Sequence, residues 1–282
     1  NDAPIFELIN SNQDIIDSVD VYEDFDTQHI FVSMGLIPTD EREQVVEYAI
    51  SPESNNADIS INSETGEVTI QSIANLYETV QFTVTAMDNG GTVREGIDEY
   101  SQSFVLDITS VNDVPSFLKG DDQPILEDAG EVSIQWATDI SRGPVDEISQ
   151  ELSFFVTTDN DAFFKDSQVP VIDGSGKLTY QISDDLNGNV QVSLSLKDDG
   201  GIEFGGVDES EPQVFNISVQ AVNDPPTFSL GSNSDLELDE DGIGKSVESW
   251  ISDIVKGPAD EIADILTFHI TSSKSDSTIF SV

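Results

Sequence analysis

Apolar and polar residues alternate along several short segments of this chain, which is the pattern of β-strands with one buried face. The four clearest segments are Val80–Ala86, Phe104–Ile108, Val190–Leu196 and Phe215–Val219. Turn dipeptides such as Asn89-Gly90 and Asp199-Gly200 lie between segments of this kind, and no helical stripe of useful length is present. Many short strands separated by turns predict an all-β protein built from β-sandwiches.

A short phrase occurs three times along the chain and sets its period. It reads Asn-Asp-x-Pro-x-Phe and begins at Asn1, Asn112 and Asn223, so both intervals are 111 residues (112 − 1 and 223 − 112). The first two strand segments return after 110 and 111 residues (190 − 80 and 215 − 104). A fixed period of this length indicates tandem domains. We predict sandwich repeats at residues 1–111 and 112–222 in a linear array, and a truncated third repeat at residues 223–282 of a longer array.

The charge of the chain narrows its possible partners. Ten Lys and Arg residues face 56 Asp and Glu residues, which gives a formal net charge of −46. Nucleic acid and anionic membranes both reward Lys and Arg, so neither is expected as a partner. A cation that binds the folded chain but not the unfolded chain would offset the repulsion between the acidic residues. The composition therefore suggests a cation requirement.

Several classes of chemistry lack the residues that they need. The chain has no Cys, which removes disulfides, thiolate catalysis and zinc–thiolate sites. His29 and His269 lie in different predicted repeats, so a Ser-His-Asp site is not expected. No run of 18 apolar residues occurs, and direct membrane insertion is not expected. Paired carboxylates for glycoside hydrolysis stay open because the sequence gives no distance between them. The prediction is a protein that is not an enzyme.

Acidic residues recur at four places in each repeat. These places are the Asn-Asp phrase, a Glu-Asp pair, the Asp that follows a Trp, and an Asp-x-Gly-Gly turn. The pairs are Glu23-Asp24, Glu127-Asp128 and Glu240-Asp241, and the turns begin at Asp88 and Asp198. Calcium takes six to eight oxygen ligands, which the end of one sandwich and the start of the next could supply together.

The repeated phrase resembles the linker of cadherin-like, immunoglobulin-like tandem repeats found in very large bacterial surface proteins and adhesins. Glu127 lies 12 residues after Pro115, much like the basal Glu of cadherins, and the turns at Asp88 and Asp198 resemble the Ala-x-Asp-x-Gly word of that family. The resemblance implies calcium ligands at two junctions between repeats. They are Glu23, Asn112, Asp113, Asp139 and Asp198 at the first junction, and Glu127, Asn223, Asp224 and Asp253 at the second, whose later partner would lie beyond Val282.

The chain departs from the cadherin linker on both sides of the phrase. Ser110 and Ala221 stand where the family has an Asp, and Val114 and Pro225 stand where it has an Asn. The second Asp of the early Asp-x-Asp word is Ser141 or Val255. The resemblance therefore implies one or two calcium ions for each junction, fewer than the three of animal cadherins.

Structural interpretations compete with metal binding at each motif. Asn-Asp-Pro can be a turn that ends a domain, and Glu-Asp pairs can be solvated strand edges. The Asp-Glu pairs that follow a Pro are interpreted as loop caps, and Trp136 and Trp250 as packing residues; the pairs are Asp40-Glu41, Asp146-Glu147 and Asp260-Glu261.

Two functions remain after these comparisons. The first is a calcium-binding, rigid spacer or adhesion segment of a large bacterial cell-surface protein, extracellular and in contact with neighbouring repeats of its own chain. The alternative is an extracellular module that binds a glycan or a protein ligand through exposed aromatic residues, for which Phe163-Phe164 and Tyr77 are the candidates.

Overall fold

A computed structural model describes residues 1–231 and 246–271. The described residues form β-sheets and short 3-10 turns, which confirms the predicted all-β sandwich fold. They fall into two compact units. Unit 1 contains Asn1–Leu118, Asp139–Ser153 and Ser195–Glu211, and unit 2 contains Lys119–Thr138, Phe154–Leu194 and Pro212–Val282. The predicted repeat boundaries stay predictions, and Glu240-Asp241 lies outside the described residues.

Unit 1 is built on two four-stranded sheets. One sheet has the order β1-β3-β6-β5 and the other the order β2-β8-β7-β4. Their strands are β1 (Phe6–Ile9), β2 (Ser18–Tyr22), β3 (Gln28–Met34), β4 (Val46–Ser51), β5 (Ala57–Ile61), β6 (Val68–Ser72), β7 (Glu78–Asp88) and β8 (Glu99–Thr109). All neighbours are antiparallel except β2 and β8, which run parallel. A short strand, β9 (Ser116–Leu118), follows in the chain.

The core of unit 1 lies between these two sheets. Every second residue of β7 and β8 is buried, as the alternating pattern requires. Phe82 and Phe104 are directly paired in the register of β7 and β8, and their stacked rings lie 5.7 Å apart. Phe6 enters from the opposite sheet and is fully buried. This Phe closes the repeated phrase, so the first linker residues are tied to the core.

Unit 2 repeats much of this arrangement. Its strands are β10 (Gln123–Leu126), β11 (Glu131–Gln135), β13 (Ser153–Thr158), β14 (Val171–Ile172), β15 (Lys177–Gln181), β16 (Gly188–Lys197), β17 (Gln213–Gln220), β18 (Thr227–Leu230) and β19 (Ile251–Val255), and β12 (Thr138–Ser141) precedes β13 in the chain. The main sheet has the order β10-β17-β16-β13, and β10 runs parallel to β17 as β2 does to β8. The other sheets are β11-β15-β14 and β18-β19.

The predicted packing role of Trp136 agrees with its position in the core of unit 2. Trp136 is 4% exposed, its ring lies 4.4 Å from the ring of Phe215, and its Nε1 donates to the Asp121 carbonyl at 2.8 Å. Phe163 and Phe164 are also buried. These two residues therefore do not form the exposed aromatic patch considered for a ligand-binding module, whereas Tyr77 is 47% exposed.

The four strands read from alternation are confirmed as β7, β8, β16 and β17. One expectation is wrong. Leu266–Ile270 alternates like a strand, but the structure assigns it no strand. An alternating segment becomes a strand only where a neighbour accepts its backbone hydrogen bonds, and no strand of the described residues pairs with it. No helix among residues 1–231 and 246–271 has the length and apolar character needed to cross a bilayer.

Candidate metal centres

A buried Glu marks the start of each linker. Glu23 follows β2, and its N–H donates to the Thr109 carbonyl at 2.9 Å because β2 runs parallel to β8. Its Oε1 accepts the Val111 N–H at 2.5 Å, so the side chain folds over the linker, and the residue is 8% exposed. In unit 2, Glu127 does the same with the Val222 N–H at 2.5 Å.

The Asn of the phrase holds an Asp of the glycine turn. Asn112 Nδ2 donates to Asp198 Oδ1 at 3.1 Å, and Asn112 Oδ1 accepts from Gln150 Nε2 at 2.6 Å. Asn1 repeats the first bond with Asp88 Oδ1 at 2.9 Å. Since its amide oxygen and nitrogen both have protein partners, Asn112 is placed to position Asp198, which is 4% exposed.

The Glu of each Pro-x-Asp-Glu word bonds to the Asp of the phrase. Glu147 Oε1 accepts the Asp113 N–H at 2.7 Å, Glu41 Oε1 accepts the Asp2 N–H at 2.7 Å, and Glu261 Oε1 accepts the Asp224 N–H. Glu147 and Glu261 are 4% and 6% exposed. Interpreting these residues as loop caps is therefore incomplete. Their second oxygens are buried without a hydrogen-bond partner.

We call the acidic residues of unit 1 near the linker the first acidic cluster: Glu23, Asp24, Asp113, Asp146, Glu147 and Asp198. Four carboxylate oxygens of this cluster are buried and have no hydrogen-bond partner, namely Glu23 Oε2, Asp146 Oδ1, Glu147 Oε2 and Asp198 Oδ2. Among the described residues, no Lys or Arg forms a salt bridge with any of them. An unpaired buried carboxylate is costly, so this concentration of them indicates a missing positive charge.

The electrostatics of the first acidic cluster support the same conclusion. Burial raises the pKa of Glu23, and the charges of Asp146 and Asp113 raise it further against the bond from Val111. Burial also raises the pKa of Asp113, with help from Asp24 and Asp146. Burial raises the pKa of Glu147 as well. Shifts in this direction mean that the cluster disfavours its own negative charge.

We call the corresponding residues of unit 2 the second acidic cluster: Glu127, Asp128, Asp185, Asp224 and Glu261. Carboxylate oxygens of Asp128, Asp185 and Asp224 all lie within 4.8 Å of one another, which no carboxylates of the first acidic cluster do among the described residues. Asp224 Oδ2 and Glu261 Oε2 are buried without partners. Glu127 Oε2 differs from Glu23 Oε2, because Asn187 Nδ2 donates to it at 3.3 Å.

Three candidate ligands from the sequence have no contact with either cluster through a side-chain carboxylate. Asp139 is exposed in a left-handed backbone conformation (φ 48°), and its carboxylate has no hydrogen-bond or ion-pair partner in the described part of the chain. Asp253 is exposed (φ 50°) and accepts from Ser252 Oγ at 3.1 Å. Asn223 is exposed, and its Nδ2 donates to the Asp224 carbonyl at 3.0 Å.

Sequence reasoning missed four residues that the structure places in the clusters: Asp146, Glu147, Glu261 and Asp185. A signal for the first three existed, because Asp-Glu follows Pro in register in all three copies. No such signal marks Asp185, since the residue at its place in the first repeat is Asn75. Only the fold shows that both N–H groups donate to the Asp of a Glu-Asp pair, at 3.1 Å for Asn75 and 3.2 Å for Asp185.

The donor set fits a hard divalent cation of the calcium type. Calcium prefers carboxylate and carbonyl oxygens at 2.3–2.6 Å, and both clusters offer oxygens alone, without thiolate or imidazole. Glu23, Glu147 and Asp198 each use one oxygen to bond with the protein and leave the other free. Such a division fixes each carboxylate in place and keeps one ligand atom available.

Comparisons with known proteins give one kind of match. No family model matches the sequence, and no curated protein matches it. The chain is similar to solved cadherin extracellular domains. Human protocadherin-24 EC1-2 is 14% identical with a TM-score of 0.41, over 78% of this chain and 99% of that one. Mouse cadherin-23 EC22-24 is 18% identical with a TM-score of 0.37, over 79% of this chain and 67% of that one. The bacterial origin suggested by the sequence stays a prediction.

Proposed function

We propose that this chain is a calcium-binding segment of an extracellular adhesion or spacer protein, in which calcium joins consecutive β-sandwich repeats. The observation that carries the proposal is the set of four buried, unpartnered carboxylate oxygens in the first acidic cluster. One comes from Glu23 in the first predicted repeat, and three come from the second predicted repeat. An ion held by both groups would fix the linker between them.

The linker itself supports this role. Val111 and Asp113 donate their N–H groups to Glu23 and Glu147, so the backbone on both sides of Asn112 is bonded to cluster carboxylates. An ion that neutralises those carboxylates therefore also stiffens the linker. The net charge of −46 adds a general repulsion that bound cations reduce. A stiff extracellular spacer of a bacterial surface protein is the setting we propose for such a device.

Thermal unfolding with and without calcium tests the proposal. A ligand that binds only the folded state at 100 times its Kd stabilises it by about 2.7 kcal/mol. For a protein of this size that corresponds to about 5–10 °C in Tm. We expect Tm to rise by this amount in calcium and to fall again with chelator. An unchanged Tm at saturating calcium would contradict the proposal.

The substitution Glu147→Gln assigns the effect to the first acidic cluster. Glutamine keeps the oxygen that accepts the Asp113 N–H but removes the charge of the buried carboxylate. We expect calcium affinity to drop about tenfold, or about 1.4 kcal/mol. The calcium-free variant should be at least as stable as the original, because an unpaired amide costs less to bury than a carboxylate. Glu64→Gln, at an exposed turn, is the matched control and should leave calcium binding unchanged.

A further inference from the structure

The second acidic cluster contains a carboxylate that the first lacks. Asp185 and Asn75 occupy equivalent places: both have left-handed backbones (φ 56° and 58°), and both donate the backbone N–H to the Asp of a Glu-Asp pair. The side chains differ only in that one is a carboxylate and the other an amide. Position and backbone are therefore matched, and the charge is not.

Asp128, Asp185 and Asp224 approach closely enough to share one ion. Their carboxylate oxygens lie within 4.8 Å of one another. Two oxygens bound to the same calcium at about 2.4 Å can be at most about 4.8 Å apart, so the three oxygens fit one coordination sphere. Asp128 and Asp185 are exposed, which leaves room for water to complete the coordination.

A buried side chain next to these residues also lacks a partner. Glu261 is 6% exposed; its Oε1 accepts the N–H of Asp224, and its Oε2 has no hydrogen-bond partner. Asp224 Oδ2 is likewise buried and unpartnered. Two orphaned oxygens at Asp224 and its direct neighbour point to a ligand that the three aspartates alone would not establish.

We propose that Asp128, Asp185 and Asp224 form an additional divalent-cation site of the second acidic cluster, and that Asp185 is the residue that creates it. The inference rests on the proposed function, since it assigns a further calcium to a chain that binds calcium elsewhere. The first acidic cluster has no equivalent site, because Asn75 supplies an amide in place of the third carboxylate. The two clusters therefore hold different numbers of ions.

The test is a count of calcium bound to the full chain by equilibrium dialysis and calorimetry, in buffer with physiological salt to suppress diffuse binding. Asp185→Asn gives the second cluster the side chain that the first already carries at this place. We expect the variant to bind one calcium fewer than the original chain, or to bind that ion at least tenfold more weakly. Asp184→Asn is the matched control: it removes the adjacent exposed carboxylate, which pairs with Lys165 at 3.5 Å, and should keep the full count.

Asn75→Asp provides the reciprocal change and should add or tighten one ion at the first cluster. If Asp185→Asn is misfolded by circular dichroism, Asp128→Asn takes its place with the same expectation. Equal counts and affinities for the original chain and the Asp185 variant would overturn the additional site while leaving the proposed function intact. No calcium binding by the original chain would overturn both.

Discussion

The two acidic clusters begin from the same phrase but leave different carboxylates free. In the first acidic cluster, Glu23 Oε2 is buried and unpartnered. In the second, Asn187 donates to the equivalent oxygen of Glu127, and Asp185 supplies a new carboxylate instead. The residues at the corresponding places of the first repeat are Tyr77 and Asn75. Repetition of the linker therefore does not imply repetition of the ion site.

The clusters also differ in what surrounds them. Tyr22, directly before Glu23, stacks on Phe204 with ring centroids 4.7 Å apart and an interplanar angle of 26°. Leu126 stands at the equivalent place before Glu127. The first cluster thus combines its carboxylates with an aromatic contact, whereas the second adds a third exposed carboxylate. We infer that the first junction depends less on calcium for its order than the second.

The largest expected effect comes from the glycines beneath the two buried Glu side chains. A Cβ on Gly143 would lie 1.7 Å from Glu147 Oε2, and a Cβ on Gly257 would lie 1.5 Å from Glu261 Oε2. Both glycines have φ values that other residues rarely adopt, 142° and 149°. Gly143→Ala should cost about 1–3 kcal/mol of folding free energy and should displace the carboxylate, so that calcium affinity falls more than tenfold. Denaturant unfolding and calorimetry measure the two effects.

Gly257→Ala sharpens the comparison because it makes the same change at the second cluster. We expect each variant to weaken the ions of its own cluster alone. Gly130→Ala is the control for the backbone cost, since its φ is 74° and no atom lies within 4 Å of the added Cβ. Calcium binding by Gly143→Ala equal to that of Gly130→Ala would show that Glu147 is not a ligand.

The sandwich fold was accessible from the sequence because its strands alternate with a period of two. Val80–Ala86 and Val190–Leu196 have one buried face, and burial of every second residue is a local pattern that a sequence displays. Leu266–Ile270 shows the limit of that reasoning. Alternation is necessary for a half-buried strand, but pairing depends on residues far away in the chain.

The candidate site was accessible only in part. Glu23, Asp113 and Asp198 could be named because motifs repeat in register and resemble a known linker. Asp139 and Asp253 follow the same motifs, yet both are exposed and outside the contacts of the clusters. Asp185 could not be named, because its role depends on a hydrogen bond between distant loops that the sequence does not reveal.

An intermediate effect is expected from the aromatic stack. A double-mutant cycle of Tyr22→Ala and Phe204→Ala should give a coupling of about 0.5–1.5 kcal/mol in unfolding free energy. The coupling should persist in calcium-free protein, because neither ring is a metal ligand. Leu36→Ala, at a fully exposed apolar residue of unit 1, should have no comparable effect. A coupling that vanishes on removal of calcium would show that the stack depends on the ion.

The smallest expected effect is on the pH dependence of stability. The pKa values of Glu23, Asp113 and Glu147 are raised above their ordinary values of 4.5, 3.8 and 4.5. The folded chain therefore holds more protons than the unfolded chain in the range just above those values, and its stability falls as the pH rises through that range. Calcium-depleted protein should become more stable as the pH is lowered from about 7 to about 5. Calcium-loaded protein should show the opposite trend, because protons compete with the ion.

Glu23→Gln isolates this effect, since it removes one titrating group and keeps the oxygen that accepts from Val111. Its calcium-free Tm should change less with pH than that of the original chain. An identical slope in the two proteins would rule out Glu23 as a source of the pH dependence.

The most direct test of calcium at the junctions is a crystal structure of the chain grown in calcium, with anomalous diffraction to identify the metal. We predict an anomalous peak in the first acidic cluster bound by Glu23 Oε2, Glu147 Oε2 and Asp198 Oδ2, the oxygens that lack partners. A cluster that contains only water at saturating calcium, with these oxygens bonded to it, would contradict the account.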